Sequence, residues 1–346
     1  MDAQTLPGAR WSCRGCGACC HGFSFGPVEP DIIAGLKAAD IASKWPPAAE
    51  RPWHATQPGP DGEPAIYLTN VDGHCIFLQD DQLCAVHRLL GGDRKPWFCR
   101  EYPFYPVEDP DGRVSVAVRG DCGGLHESFE DGQPLTEQLP EILSLPRAVP
   151  RVRFDAPQVI LLPGIAIPSP AWRQVEPHLL DHLATPRAPE DAIASTRAHL
   201  FALIQRPEPT PDPAVYAGTM AAVLSMLQQQ PDPHPAVAEA LARWAGRIPP
   251  LTEAAHRYLL LIARGSLLTR QFAMIGGVPA QLGLSLVEAA VSALNAPGEG
   301  PHGPEGLGET MPSFKRWLRA GEVWGPVCDH RAALEALFMN APAGVP

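Results

Sequence analysis

The chain has 346 residues, of which 45% are hydrophobic and 19% charged, with 31 Gly, 41 Pro and a net charge of -11. This is the composition of a globular protein long enough for two domains and rich in Pro-containing connections. Acidic charge is spread along the whole chain, so no cationic face is available to neutralise phosphates, which argues against nucleic acids and anionic membrane surfaces as partners.

The N-terminus, Met-Asp-Ala-Gln-Thr-Leu-Pro-Gly-Ala-Arg, has neither a basic start nor an apolar core, and no apolar run approaches the ~18 residues of a membrane helix. We therefore expect a cytoplasmic protein in a reducing compartment, where clustered cysteines hold metal more often than disulfides. Eight of the nine cysteines precede residue 123, and Cys328 stands alone near the other end.

Cys13, Cys16, Cys19 and Cys20 fall in the run Cys-Arg-Gly-Cys-Gly-Ala-Cys-Cys. Two-residue gaps let successive sulfurs turn onto one ion or cluster, and Gly15, Gly17 and Ala18 let the backbone wrap without side-chain clash. The spacing also matches the first three ligands of the bacterial ferredoxin run, whose fourth Cys and following Pro are missing here. Further ligands must come from elsewhere, and the adjacent Cys19 and Cys20 are expected to serve two centres, or one centre plus a supporting role.

A short helix is predicted over Glu29 to Ala42, with Asp31 as its cap and Ile32, Ile33, Leu36 and Ile41 as its apolar stripe. Residues 45 to 64, rich in Pro and Gly, read as an irregular loop in which Trp45 and Trp53 cover the metal site. Strands are predicted over 65 to 69, 75 to 78 and 83 to 86, and a hairpin across Asp80-Asp81 would bring Cys75 and Cys84 together. Pro96 and Pro103 fix the chain on either side of Cys99. A strand over 113 to 118 leads into Gly120-Asp-Cys122-Gly-Gly, where glycines allow a thiol to approach a metal closely.

Three of these elements, in this order, resemble the YkgJ-type CxxCxxCC family, described as a zinc- or iron-chelating domain: Cys13 to Cys20, Cys75-Ile-Phe-Leu followed by Cys84, and Pro96-x-x-Cys99-Arg100-x-Tyr102-Pro103. Flagellin lysine N-methylase looks like a longer relative with the same kind of cluster. The resemblance covers about residues 10 to 125 and implies metal binding; Lys95 stands where the family commonly has Arg, and His87 where Tyr is usual.

Residues 127 to 170 read as a Pro-rich crossing with one strand at Val159 to Leu162. Beyond it, helical periodicity covers 172 to 183, 190 to 204, 215 to 229, 236 to 248, 252 to 275 and 280 to 294. Thr252 is an available N-cap for the longest of these, and Gly276-Gly277 ends it. Residues 295 to 312 have loop composition, and short helices are predicted at 313 to 320 and 330 to 339. His256, Arg257, Arg264 and Arg270 on the long helix read as a solvated face rather than an anion site.

The fold class expected is α+β: a cysteine-cluster domain over 1–126, a connection over 127–170 and an all-α domain over 171–346. The candidate metal ligands are Cys13, Cys16, Cys19, Cys20, Cys75, Cys84, Cys99 and Cys122. His21, His74, His87 and His126 read as neighbours of the site, and Cys328 as a bystander. All-thiolate ligation suits both zinc and iron-sulfur, and the ferredoxin-like opening favours a 4Fe-4S cluster. The fold of the first segment is expected to depend on its metal, because few long apolar runs are available there. No CxxxCxxC run, GxGxxG after a strand or GxxxxGK[ST] loop occurs. Two functional readings follow: a methylase-like enzyme taking S-adenosylmethionine and a protein substrate, or a non-catalytic chelating or electron-transfer module whose helical part binds a partner protein.

Overall fold

The computed structural model describes residues 2–22 and 25–343. It has an α+β fold, with short strands concentrated before residue 170 and, among the described residues, 17 α-helices, most of them in the second half of the chain. No helix among the described residues is long and apolar enough to cross a membrane. Where the sequence suggests consecutive segments, the chain forms two interleaved compact units. One comprises Met1–Ala9, Pro106–Asp121 and Arg153–Pro346; the other comprises Arg10–Tyr105 and Cys122–Val152.

In the larger unit the N-terminal strand Ala3–Thr5 pairs in parallel with Val114–Val118, with Ala3 opposite Val114 and Thr5 opposite Val116. Every residue of Val114–Val118 is buried, as expected for a strand covered on both faces. The helix Glu253–Leu268 packs on that strand, and Gly265 lets its backbone approach so closely that a Cβ there would lie 3.2 Å from Ala117. The helix Val278–Asn295 is buried along nearly its whole length and packs against Pro304–Leu318, Arg331–Asn340 and Pro235–Arg243; a helix apolar on all sides belongs at the centre of a bundle.

Prolines open these helices rather than break them. Pro189, Pro213, Pro235 and Pro304 begin their helices and Pro279 lies in the first turn of its own, where an N–H would have no intrahelical partner. Thr252 caps its helix as expected, accepting from Ala255 N at 3.2 Å. That helix ends at Leu268 instead of continuing to 275, because Arg270 adopts φ 52° and a short second helix, Phe272–Ile275, follows before Gly276 closes it in a left-handed conformation.

Three readings of this part of the chain are corrected. Residues 304 to 312 belong to the helix Pro304–Leu318, which buries Leu307, Met311 and Phe314 on one face, and a further helix, Gly321–Asp329, follows it. Arg270 does not lie on a solvated face: it is buried and its Nη2 is 2.9 Å from Asp109 Oδ2, a carboxylate that also receives Arg113 and Arg173. The crossing over 127–170 holds a helix, Leu135–Ser144, and a hairpin of Gln158–Leu162 with Ile165–Pro168.

The smaller unit has its own apolar core, which includes Phe25, Ile33, Leu36, Ile41, Trp53 and Phe77. The first predicted helix is two, Pro30–Ala38 and Ile41–Lys44, parted at Asp40 with φ 49°; Asp31 lies in the first turn and makes no cap. The stretch 45 to 64 is not irregular. It holds the helix Pro46–Glu50 and a hairpin, His54–Pro58 with Pro64–Leu68, whose last pair before the turn is Pro58 and Pro64, at the end of the ladder where no N–H is needed.

Candidate metal centre

All eight thiols of the predicted set lie in the smaller unit, and Cys328 lies in the other, with its Sγ donating to Met274 O at 3.4 Å. All nine cysteines are present as thiols rather than disulfides.

Backbone ties draw the first group together. The loop of residues 12 to 22 ends in an antiparallel bridge between His21 and His74, supported by Gly22 N donating to Gly73 O at 3.0 Å. Because His74–Cys75 pairs with Asn70–Val71, this bridge sets the 3-10 turn Ala18–Cys20 beside Cys75. A second bridge, Leu78 with Cys84, folds the following turn back, and Gln79 N donating to Leu83 O at 2.9 Å closes it as the Asp80-Asp81 turn requires. Residues 83 to 86 are not a strand: Cys84 is the N-cap of the helix Ala85–Leu90. Cys99 stands on the helix Trp97–Glu101, anchored by Trp97 N donating to Glu29 Oε1 at 2.9 Å and Trp97 Nε1 donating to Pro27 O at 3.1 Å. Arg147 fixes the same helix from the later segment, lying over the Trp97 ring and pairing with Glu101.

These thiols act on one another electrostatically. Hydrogen bonding to Cys19 is the largest influence pushing the Cys20 thiol up, followed by burial and the charges of Cys19, Cys75 and Cys99. Burial pushes Cys75 up to about 12, against a backbone hydrogen bond from Phe77, with Cys84 and Cys19 adding to the rise. Cys99 is also raised by burial, Lys95 opposing and Cys75, Cys84 and Cys19 reinforcing. Burial pulls Lys95 down, yet the thiolates of Cys99, Cys84, Cys19 and Cys20 outweigh it and leave its ammonium raised. Five sulfurs therefore share one neighbourhood with this lysine. Their apolar backing is the core cluster, against which Cys20, Cys84 and Phe98 pack.

Cys16 lies against the chain that follows Cys122. A Cβ on Gly123 would stand 3.1 Å from Cys16 Sγ and 2.9 Å from the Ala18 Cβ, so only glycine admits this approach. Trp11 Nε1 donates to Cys122 Sγ at 3.4 Å, and the short strand Arg10–Trp11 pairs with Gln133–Pro134. Burial raises the Cys16 thiol, opposed by a backbone hydrogen bond from Ala18, and the charges of Cys19 and Cys13 raise it further. Gly15 N donates to Cys13 Sγ at 3.4 Å.

Of the histidines, the His21 and His74 rings stand 5.8 Å apart, while His126 Nε2 lies 3.6 Å from Glu127 and its Nδ1 is buried without a hydrogen-bond partner. Trp45 Nε1 donates to Ile76 O at 2.8 Å, and Trp53 is part of the core cluster. Glu29 and Arg147 have no cysteine near them in the sequence, and Trp11, two residues before Cys13, contacts Cys122 instead, so nothing marked them as supports of the thiols.

The donor set fits a thiophilic metal. Buried thiols that raise one another cannot ionise together without positive charge, which a bound cation supplies. Among the described residues, no group of three or more His, Cys, Asp or Glu donors already stands in ligating geometry.

Residues 12–117 match the CxxCxxCC family, described as "Putative zinc- or iron-chelating domain". The matched stretch contains seven of the eight clustered cysteines and stops before Cys122. No curated protein and no solved structure matches the chain.

Proposed function

We propose that this protein binds a thiophilic metal, zinc or an iron-sulfur cluster, through the thiols of its smaller unit. Cys19, Cys20, Cys75, Cys84 and Cys99 supply one ligand group, with Lys95 offsetting their charge. Cys13, Cys16 and Cys122 supply the neighbouring group. The observation that carries this reading is the pair of backbone bridges, His21 with His74 and Leu78 with Cys84, which gather cysteines from three separate stretches of chain. When bound, the metal would supply the positive charge that lets these sulfurs ionise side by side; the chain's own part is to hold them against an apolar wall and exclude water from it.

Anaerobic purification followed by metal analysis tests the proposal. We expect at least one metal per chain, and a smaller content overturns it. A brown solution that bleaches on reduction identifies iron-sulfur, whereas a colourless zinc protein identifies a closed thiolate site. Calorimetry with S-adenosylmethionine then separates a methylase-like enzyme from a chelating or electron-transfer module: tight binding to the metal-loaded protein is required by the first and not by the second.

A further inference from the structure

Away from the thiols, three helices of the larger unit bring together a guanidinium, two imidazoles and a hydroxyl. The helix Ser169–His182 ends in His182, Pro189–Leu203 carries Ser195 and His199 one turn apart, and Glu253–Leu268, which packs against both, carries Arg264. The His182 and His199 rings stack with centroids 4.9 Å apart and planes at 9°, and His182 Nε2 lies 2.8 Å from Ser195 Oγ. His199 Nε2 is buried without a hydrogen-bond partner, and so is Arg264 Nε. Arg264, read from the sequence as part of a solvated face, is half-buried and makes no hydrogen bond or ion pair among the described residues. Burial lowers the pKa of His182, with the charges of His199 and Arg187 adding to the fall, and burial lowers that of Arg264 against the charge of Asp181, the residue before His182.

We propose that this corner of the larger unit binds a phosphate-class oxyanion, held by Arg264, His199, His182 and Ser195 beside the charge of Arg187. A buried guanidinium nitrogen with no acceptor is costly, and an anionic oxygen arriving from solution removes that cost. The groups are suited to donate: guanidinium N–H groups always, the hydroxyl by rotation, and the imidazole nitrogens once protonated. The guanidiniums of Arg187 and Arg264 outweigh the carboxylate of Asp181 in charge. Donors arriving from three helices match a tetrahedral anion, whose oxygens point in several directions, better than a planar carboxylate with two. His182, Ser195, His199 and Arg264 are all partly exposed, so an ion from solution reaches them. The inference is independent of the metal-binding reading, because every residue it uses belongs to the larger unit.

The test titrates the full-length protein with inorganic phosphate in a calorimeter, at constant ionic strength because salt screens exposed charges, and follows the imidazole signals of His182 and His199 by NMR. Saturable binding that shifts both histidines is expected, and Arg264→Gln should weaken it about tenfold or more, since one charge-assisted partner is lost. Arg257→Gln, on the same helix but paired with Glu253, should bind as the parent does. Ser195→Ala is a milder second variant, expected to weaken binding about threefold by removing one neutral donor, and it keeps the test decisive if circular dichroism shows Arg264→Gln to be misfolded. Phenyl phosphate separates the sources of the anion: affinity equal to that of phosphate identifies the head group of an ester, and affinity lower by about tenfold or more identifies the free ion. The proposal is overturned if phosphate does not bind saturably, if it binds without moving the two histidines, if acetate binds as tightly, or if neither Arg264→Gln nor Ser195→Ala weakens it more than Arg257→Gln does.

Discussion

Replacing Lys95 by glutamine removes a cation that acts on Cys99, Cys84, Cys19 and Cys20 together. Four thiolates around a divalent ion carry a net charge of about -2, so a resident ammonium favours the loaded state over the empty set of neutral thiols. At a separation on the order of 6 Å and an effective dielectric of about 20, one unit pair is worth about 3 kcal/mol. Lys95 is only partly buried, and solvent screening reduces this to about 1 to 2 kcal/mol. That is about a tenfold loss of metal affinity, since 1.4 kcal/mol corresponds to a factor of ten. Competition against a chromogenic chelator at fixed pH measures it on the full-length protein. Lys95→Arg should restore most of the loss, because charge and not the ammonium itself is what the thiolates feel. If Lys95→Gln binds metal within about twofold of the parent, the electrostatic reasoning fails.

Cys75→Ser should abolish stoichiometric metal binding and make residues 10–105 more sensitive to limited proteolysis, whereas Cys328→Ser should leave both unchanged; a metal-free Cys75→Ser protein as resistant as the parent would show that the smaller unit holds together on its apolar core alone. In the larger unit, Lys315 is 2% exposed and pairs with Glu288; Glu288→Gln strands its charge and should cost about 3 to 5 kcal/mol in denaturant unfolding, with a loss below about 1 kcal/mol refuting the account. His234 caps the helix Pro235–Arg243 by accepting from Ala236 N through Nδ1 at 3.2 Å, while its Nε2 lies 3.2 Å from Ser313 Oγ, and burial followed by the charge of Arg316 lowers its pKa below 6.5. Its contribution to stability is therefore fully present above the unfolded value and is lost as pH falls through the lower folded value. Melting temperatures between about pH 7.5 and 5 should fall less steeply for His234→Asn, which keeps a capping side chain that does not titrate.

The helices after residue 170 were legible because proline opens most of them and apolar residues recur at helical spacing between the openings. The start of Pro304–Leu318 escaped because glycines, proline and glutamates dominate its composition while Leu307, Met311 and Phe314, on one face, carry the packing. The thiols were equally plain as residue types. Their grouping was not, because it depends on the His21–His74 bridge and on the approach of Gly123 to Cys16, tertiary events that spacing does not encode. Lys95 and Arg100 both stood near Cys99 in the sequence; only the fold shows that Lys95 is shared by five thiols. The run from Leu83 to Val86 favoured a strand over the helix that Cys84 in fact caps, since an apolar run of four residues is compatible with either.

The interleaving of the two units limits how the cysteine-bearing part can be moved between proteins. A fragment cut to residues 12–117 would carry most of the strand Val114–Val118 without its parallel partner Ala3–Thr5, presenting a bare sheet edge. It would also leave behind Cys122, which receives Trp11, and Arg147, which braces Glu101 and Trp97. Transplanting the whole unit requires residues 10–152, and with them the intervening 106–121, which belong to the other core. Shuffling by single cuts at the motif's borders would thus damage both cores at once, and inheritance of the two as one piece is the arrangement this topology favours.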